Sequence, residues 1–262
     1  AGKNVIRLIG NVVFKHENAI MYCDSAWLYS DENRLDAFNH VHINKSDSVH
    51  IYCDQLKYDG ATRYAEIHQN VRMVSNDFNL KSNHLYYDIR NNKANYNDGA
   101  IIDDIRNGST LTSKRGVYFS STRFFFFRDS VRLNHPDYNI TTDSLRYSPE
   151  LKIAYFIGPT TIISDSNRVY CERGWYDTNT DNAMFRRNAK IISGKQWLKA
   201  DSIFYERKME KGEAFMNVEF IDTVEDIIVS GHYGRFDGNF STSVVTDSAL
   251  LTLAFENDSL FL

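Results

Sequence analysis

Proline is nearly absent from this chain, three in 262 residues, and nowhere do about 18 apolar residues run together as a membrane-crossing helix would need. No long apolar period of the helical kind is present either, so a helical layer is not expected. A basic excess is also missing. Lys and Arg total 30 against 34 Asp and Glu, a formal charge of -4, which argues against the broad positive stripe that nucleic-acid phosphates require. Cysteine is scarce and odd in number. Cys23, Cys53 and Cys171 have no metal-ligand spacing, cannot all pair internally, and each stands just before an acid, which reads as a small buried apolar position. There is no G-x-S-x-G, no phosphate-cradling glycine loop and no H-E-x-x-H, so nothing argues for an enzyme, a cofactor or a metal. The opening "AGKNVIRLIGNV" lacks a charged segment followed by an apolar one, which fits a cytoplasmic protein or an exported one whose signal has been removed.

What the chain has in quantity is aromatic residues, 16 Tyr and 17 Phe, and clusters of Asn, Asp, Gly and Ser every dozen or so positions. "YCDQLKYD", residues 52 to 59, looks like a small chemical site until its echoes are aligned. Its last tyrosine has counterparts at Tyr29, Tyr87, Tyr118, Tyr147, Tyr176, Tyr205 and Phe236, and the steps along the series from Tyr29 are 29, 29, 31, 29, 29, 29 and 31. Four residues earlier stands an acid in half the copies, Asp54, Asp143, Glu172 and Asp201, while Asp24 is displaced by one, which suggests a bulge in the first copy.

A second anchor keeps the same rhythm: "GNVVF" from 10, "NHVHI" from 39, "QNVRM" from 69, "DSVRL" from 129, "RNAKI" from 187 and "MNVEF" from 216. Alternate residues are apolar and several between them are charged or polar, so these are strands with one buried face. Turns such as "SDENR", "YDGAT", "IRNNK", "HPDYN" and "TNTDN" separate them. The expected fold is all-β, an elongated antiparallel β-jelly roll of about eight 29-residue two-strand repeats, residues 1–262 forming one domain. A parallel β-helix is the rival. A lipid-spanning barrel is disfavoured by Arg, Lys, Asp and Glu at the outward positions.

The units "GNVVF" with "YCDSAWLY", "QNVRM" with "LKSNHLYYD", and "LKADSIFYE" with "MNVEF" resemble the OstA-like/LptA family of lipopolysaccharide-transport proteins, over about residues 5–245. The family also includes the N-terminal domain of the translocon LptD. That resemblance implies a jelly roll whose interior receives lipopolysaccharide acyl chains, an exported protein of a Gram-negative periplasm, in some members associated with the outer membrane, and no catalysis. It implies as partners lipopolysaccharide or another acylated lipid, and other Lpt-type jelly rolls joined by edge-strand pairing. A head-to-tail homo-oligomer would use the same edges. This chain departs from the short LptA pattern in its length and its aromatic content.

The candidate lipid-binding ladder is Val12, Phe14, Val41, Ile43, Leu56, Tyr58, Val71, Met73, Leu85, Tyr87, Val131, Leu133, Leu145, Tyr147, Tyr176, Ile191, Tyr205 and Phe220. The competing reading of each is a closed core with no ligand. A tyrosine adds weight to the first, because its ring is apolar and its hydroxyl seeks a partner or water. The repeated acids read as caps of turn amides rather than catalysts. Asp103 and Asp104 alternate faces and form no acid pair. His40 and His42 could share a face, with no third metal ligand evident.

"TRFFFFRD", from 122, must put two rings on each face of a strand, so cover by the chain itself is expected on both, with Arg123 and Arg128 as flanking gatekeepers. "GNVVF" and "SALLTLAF" are the expected docking edges. The alternative function is an extracellular carbohydrate-binding or adhesive β-solenoid. A purely structural assembly module is the third.

Overall fold

The computed structural model describes residues 4–16, 19–45, 49–119, 121–164, 167–237, 240–255 and 258–261. The chain divides into two compact units, residues 1–136 and 137–262. In the first, β1 (Val5–His16), β2 (Ala19–Tyr29), β3 (Arg34–Lys45), β4 (Val49–Asp59), β5 (Tyr64–Ser75) and β6 (Phe78–Asp88) pair in sequence order, all antiparallel. The next two lines of the sheet are each broken in half. β7 (Lys93–Tyr96) and β8 (Ala100–Asp104) lie end to end against β6, and β9 (Thr110–Ser113) and β10 (Arg115–Phe119) lie end to end against β11 (Phe124–His135).

In the second unit the run is β12 (Tyr138–Ser148), β13 (Ile153–Ser164), β14 (Asn167–Asp177), β15 (Asn182–Ser193), β16 (Gln196–Glu206), β17 (Lys211–Asp222) and β18 (Ile227–Asp237), again in sequence order. β18 then meets the split line of β19 (Ser243–Thr246) and β20 (Leu250–Phe255), and β20 carries β21 (Asp258–Phe261). The all-β antiparallel jelly roll of two-strand repeats expected from the sequence is what forms.

The second sequence anchor marks the place where each odd strand bends. Gly10–Asn11, Asn39–His40, Gln69–Asn70, Asp129–Ser130, Arg187–Asn188 and Met216–Asn217 all have positive φ at both residues, and Gly158 with φ 100° does the same work in β13. Left-handed backbone costs an L-residue about 1–2 kcal/mol and is borne best by Gly, Asn and Asp. Hence the recurrent Gly, Asn and Asp just ahead of Val-x-apolar. At each of these points the register slips by one residue, as between Ile9 and Val12 against Ser25 and Cys23. A bulge is therefore present in every repeat, and it lies on the odd strand.

This corrects the alignment of the first copy. Pairing of Leu28 with Leu35 and of Tyr58 with Leu35 makes Leu28, not Tyr29, the counterpart of Tyr58, and Ala26 the counterpart of Leu56. Trp27 accordingly points outward, 40% exposed, beneath the Arg7 guanidinium.

At the bend the strands opposite the bulges carry only small residues: Cys23, Cys53, Ser82, Ser113, Thr142, Cys171, Ala200 and Gly231. Their partners on the bulged or broken strands include Val12, Val41, Val71, Ala100, Thr160, Ala189 and Val218, all buried. Small side chains let the two halves of each strand fold toward one another, and rings then meet across the gap. Phe125 lies on the line of Tyr118, Ala94 and Tyr87, at the opposite end of β6 from Phe78, yet the Phe78 and Phe125 rings are 5.9 Å apart, edge to face. In the second unit Tyr138 meets Tyr176 at 6.1 Å and Phe220 meets Phe236 at 6.2 Å in the same way. Each unit is thus one sheet folded on itself along its line of bends, with the core inside the fold.

Candidate functional site

All eighteen ladder residues are turned away from solvent to some degree, and they fall into two groups of nine. Val12, Val41, Leu56, Val71, Leu85, Val131, Leu145, Ile191 and Phe220 are buried. Phe14, Ile43, Tyr58, Met73, Tyr87, Leu133, Tyr147, Tyr176 and Tyr205 are half-buried. The division follows distance from the bend. Val12 and Leu56 sit beside it, whereas Phe14 and Tyr58 lie two residues further out, toward the strand ends where the halves part. Ile191 and Phe220 stand at the level of Phe14 but are closed over, Phe220 by the rings of Phe236 and Phe240.

The interior of the first unit is filled. A cluster of Val12, Met21, Cys23, Ala26, Ala37, Val41, Cys53, Leu56, Ile67, Val71 and Leu85 is continuous, with Leu8, Phe14, Ile43 and Tyr58 packed on it. A small space in the first unit, lined by Met73, Phe78, Leu80, Leu85, Tyr96 and Phe125 with their neighbours, measures about 40 Å³. That is close to the share of one water molecule.

The phenylalanine run resolves as two pairs. Phe125 and Phe127 face inward, Phe125 stacked on Tyr118 at 4.4 Å and Phe127 buried. Phe124 and Phe126 lie on the other face with Phe119, whose ring meets Phe126 at 5.9 Å and is approached by Lys93 at 6.0 Å. All four are buried or half-buried, so the chain supplies cover on both faces.

The repeated acids are structural, but not as turn caps. Asp54 accepts a hydrogen bond from Asn70 (2.6 Å), Glu172 from Asn188 (2.7 Å) and Asp201 from Asn217 (3.0 Å), and Asp24 lies 2.8 Å from the His40 ring. Each ties a bend residue of the following strand, sixteen positions on. Turn amides are capped by a different set. Asp59, Asp88, Asp177 and Asp222 accept from backbone N–H groups two or three residues ahead, and these bonds, with that of the Asn91 side-chain amide leading at Asp88, lower their carboxyls.

His40 and His42 do not converge. His40 turns to Asp24, and the bonded ion pair raises its imidazole, while His42 sits 3.1 Å from His50, stacks on Tyr52 and is lowered by burial. Asp103 takes the Thr110 hydroxyl and Asp104 takes Arg106, so those acids are separate. The three cysteines are buried and free, and burial pushes the thiols of Cys53 and Cys171 up to about 12.

β1 has β2 as its neighbour on one side among the described residues and exposes Val5, Ile6, Ile9 and Val13. "SALLTLAF" departs from expectation, because β20 already has β18 on one side and β21 on the other.

One feature was missed from the sequence altogether. A hollow of about 730 Å³ lies on the outer face of the first unit, over the broken strands. Its signal was the pairing of "QNVRM" with "LKSNH", which sets Arg72 opposite Lys81 at positions read only as polar surface.

The fold and interior together define a repeat protein of antiparallel hairpins, folded along left-handed bends around an apolar inside. The chain belongs to the OstA-like protein family, whose model matches residues 1–143 and 139–201. No curated protein matches. Among solved structures it is similar to LptH of Pseudomonas aeruginosa, the LptA-homologous periplasmic component of the lipopolysaccharide transport device, at 10% identity and a TM-score of 0.40 over 43% of this chain and 93% of that one.

Proposed function

We propose that this protein is a non-enzymatic carrier or scaffold for lipopolysaccharide or another acylated lipid in the Gram-negative envelope, acting in the periplasm. The observation that carries this reading is the gradient across the ladder. Seven residues close the fold at its bend, Ile191 and Phe220 are closed over further out, and nine apolar or tyrosine side chains stand half-buried where the two halves of the sheet part. An acyl chain entering between the halves would meet Phe14, Ile43, Tyr58, Met73 and their counterparts first, gaining about 25 cal/mol per Å² of apolar surface shielded. Membership of the OstA-like family, and the likeness of its repeats to lipopolysaccharide-transport proteins, support the same choice of lipid. No chemistry is required of such a carrier. The 29-residue step continues through residue 136 without a change of phase, Tyr118 to Tyr147, which supports treating residues 1–262 as one domain of two units.

The exposed apolar edge of β1 is the place for strand addition by another jelly roll or by a second copy. The test of the carrier reading is native mass spectrometry of the purified chain with lipopolysaccharide, comparing wild type with Met73→Glu at the mouth and with Leu145→Asp at the buried level. Wild-type adducts that Met73→Glu removes while its circular dichroism stays that of the wild type support the carrier. A folded wild type without adducts rejects it and turns the function toward assembly or adhesion.

A further inference from the structure

The hollow on the outer face of the first unit is lined by four cations, Arg72, Lys81, Lys114 and Arg132, and by no carboxylate. This occurs in a chain whose net charge is -4, so it is a local arrangement and not a by-product of composition. Three of the four lie on one cross-strand row. Arg72 on β5 pairs with Lys81 on β6, Lys81 with Ile101 on β8, Ile101 with Thr112 on β9, and Thr112 with Arg132 on β11. Lys114 enters from the break between β9 and β10, and the break between β7 and β8, at Gly99 with φ 106°, sinks the sheet surface between them.

The carboxylates bordering the hollow are already engaged. Asp54 is held by Asn70, Asp98 by the His84 ring and Asp129 by Arg115. Among the described residues Lys81, Lys114 and Arg132 make no ion pair, and Arg72 rests on the Tyr52 ring at 4.8 Å. Arg72 directly opposite Lys81 is a like-charge cross-strand pair, which destabilises a sheet unless something anionic lies over it.

We propose that this hollow is a binding site for a ligand carrying two or more phosphate groups. Guanidinium and ammonium donors around an open concavity, with Asn70, Asn83 and the Thr112 hydroxyl between them, suit phosphate oxygens, which accept several charge-assisted hydrogen bonds at once. The site lies outside the folded apolar interior and does not depend on that interior holding lipid. A soluble polyphosphate and a phosphorylated lipid headgroup share this chemistry.

Isothermal titration of the full chain with tripolyphosphate tests the proposal, alongside sedimentation with phosphatidylcholine vesicles with and without cardiolipin, whose headgroup carries two phosphates. Saturable tripolyphosphate binding, weakened about tenfold or more by the double variant Arg72→Gln, Lys81→Gln but unchanged by Lys195→Gln, Lys211→Gln in the second unit, supports it. The first double variant should also melt no lower than wild type, since it removes a repulsion. Binding to cardiolipin but not phosphatidylcholine, lost in the same variant, supports it with a lipid headgroup as the source. Absence of both, or equal weakening by both double variants, overturns it.

Discussion

The smallest feature that decides this fold is the residue just before each Val-x-apolar step. Asn70, Asn188 and Asn217 have positive φ, and each spends its side chain on an acid sixteen residues back. Two effects are combined there, tolerance of left-handed backbone and a hydrogen bond to a carboxylate, and substitution can separate them. Asn217→Gly keeps the backbone but loses the Asp201 contact, and should cost under about 1 kcal/mol in urea unfolding. Asn217→Val forces a β-branched side chain into φ near 53° and loses the bond as well, so a loss of about 2 kcal/mol or more is expected. Equal costs for the two variants would mean that the bend does not depend on backbone conformation. The same logic explains why the acids recur at a fixed interval. Their partners are neutral amides or an exposed imidazole, and they stand one to a repeat.

At the scale of the element, period-two alternation made the strands legible, because one face of each is buried and the other wet. Three things were not legible. The Tyr29 register failed because "AWLY" offers four successive apolar residues, and alternation alone cannot say whether Trp27 or Leu28 faces in; the exposed Trp27 under Arg7 shows which. The breaks at β7/β8 and β9/β10 came from short interruptions that resemble ordinary turns in sequence. The cationic hollow was invisible because its row crosses five strands spread over residues 72–132. Of the candidate site, the inward set was legible as a list, but its division into a closed bend and a half-open mouth depends on distance from a bulge whose Gly, Asn and Asp residues read in sequence as a repeated motif and not as a bend. The β11 run makes its own prediction. With Phe124 and Phe126 only half-buried, Arg123 and Arg128 are the charges that keep this strand from pairing with another chain during folding. The double variant Arg123→Gln, Arg128→Gln should scatter more light on refolding from urea while its native stability stays within about 0.5 kcal/mol of wild type. Unchanged scattering would leave the arginines without that role.

For the molecule as the proposed carrier, the packing of the first unit matters most, because its described interior leaves little room for an acyl chain. A space of about 40 Å³ between Met73, Phe78, Leu85 and Phe125 has to grow many times over, so loading requires the two halves of the sheet to separate at their free ends while the line of bends holds. In the first unit such opening breaks the Phe78–Phe125 ring contact and leaves the strand-to-strand backbone hydrogen bonds in place, whereas in the second it must also part Arg207 from Asp137, 3.5 Å apart. A covalent tie across the mouth should then block loading without unfolding anything. Phe78→Cys with Phe125→Cys replaces a ring pair 5.9 Å apart, and a short bis-maleimide bridges the two thiols, the native cysteines being buried. The bridged protein should lose lipopolysaccharide adducts by several-fold relative to the same double variant capped with a monofunctional maleimide, and should melt higher because the open state is removed. Equal loading of bridged and capped protein would show that lipid does not enter between the halves of the first unit, and would move the acyl-chain site to the mouth of the second, at Tyr147, Tyr176 and Tyr205.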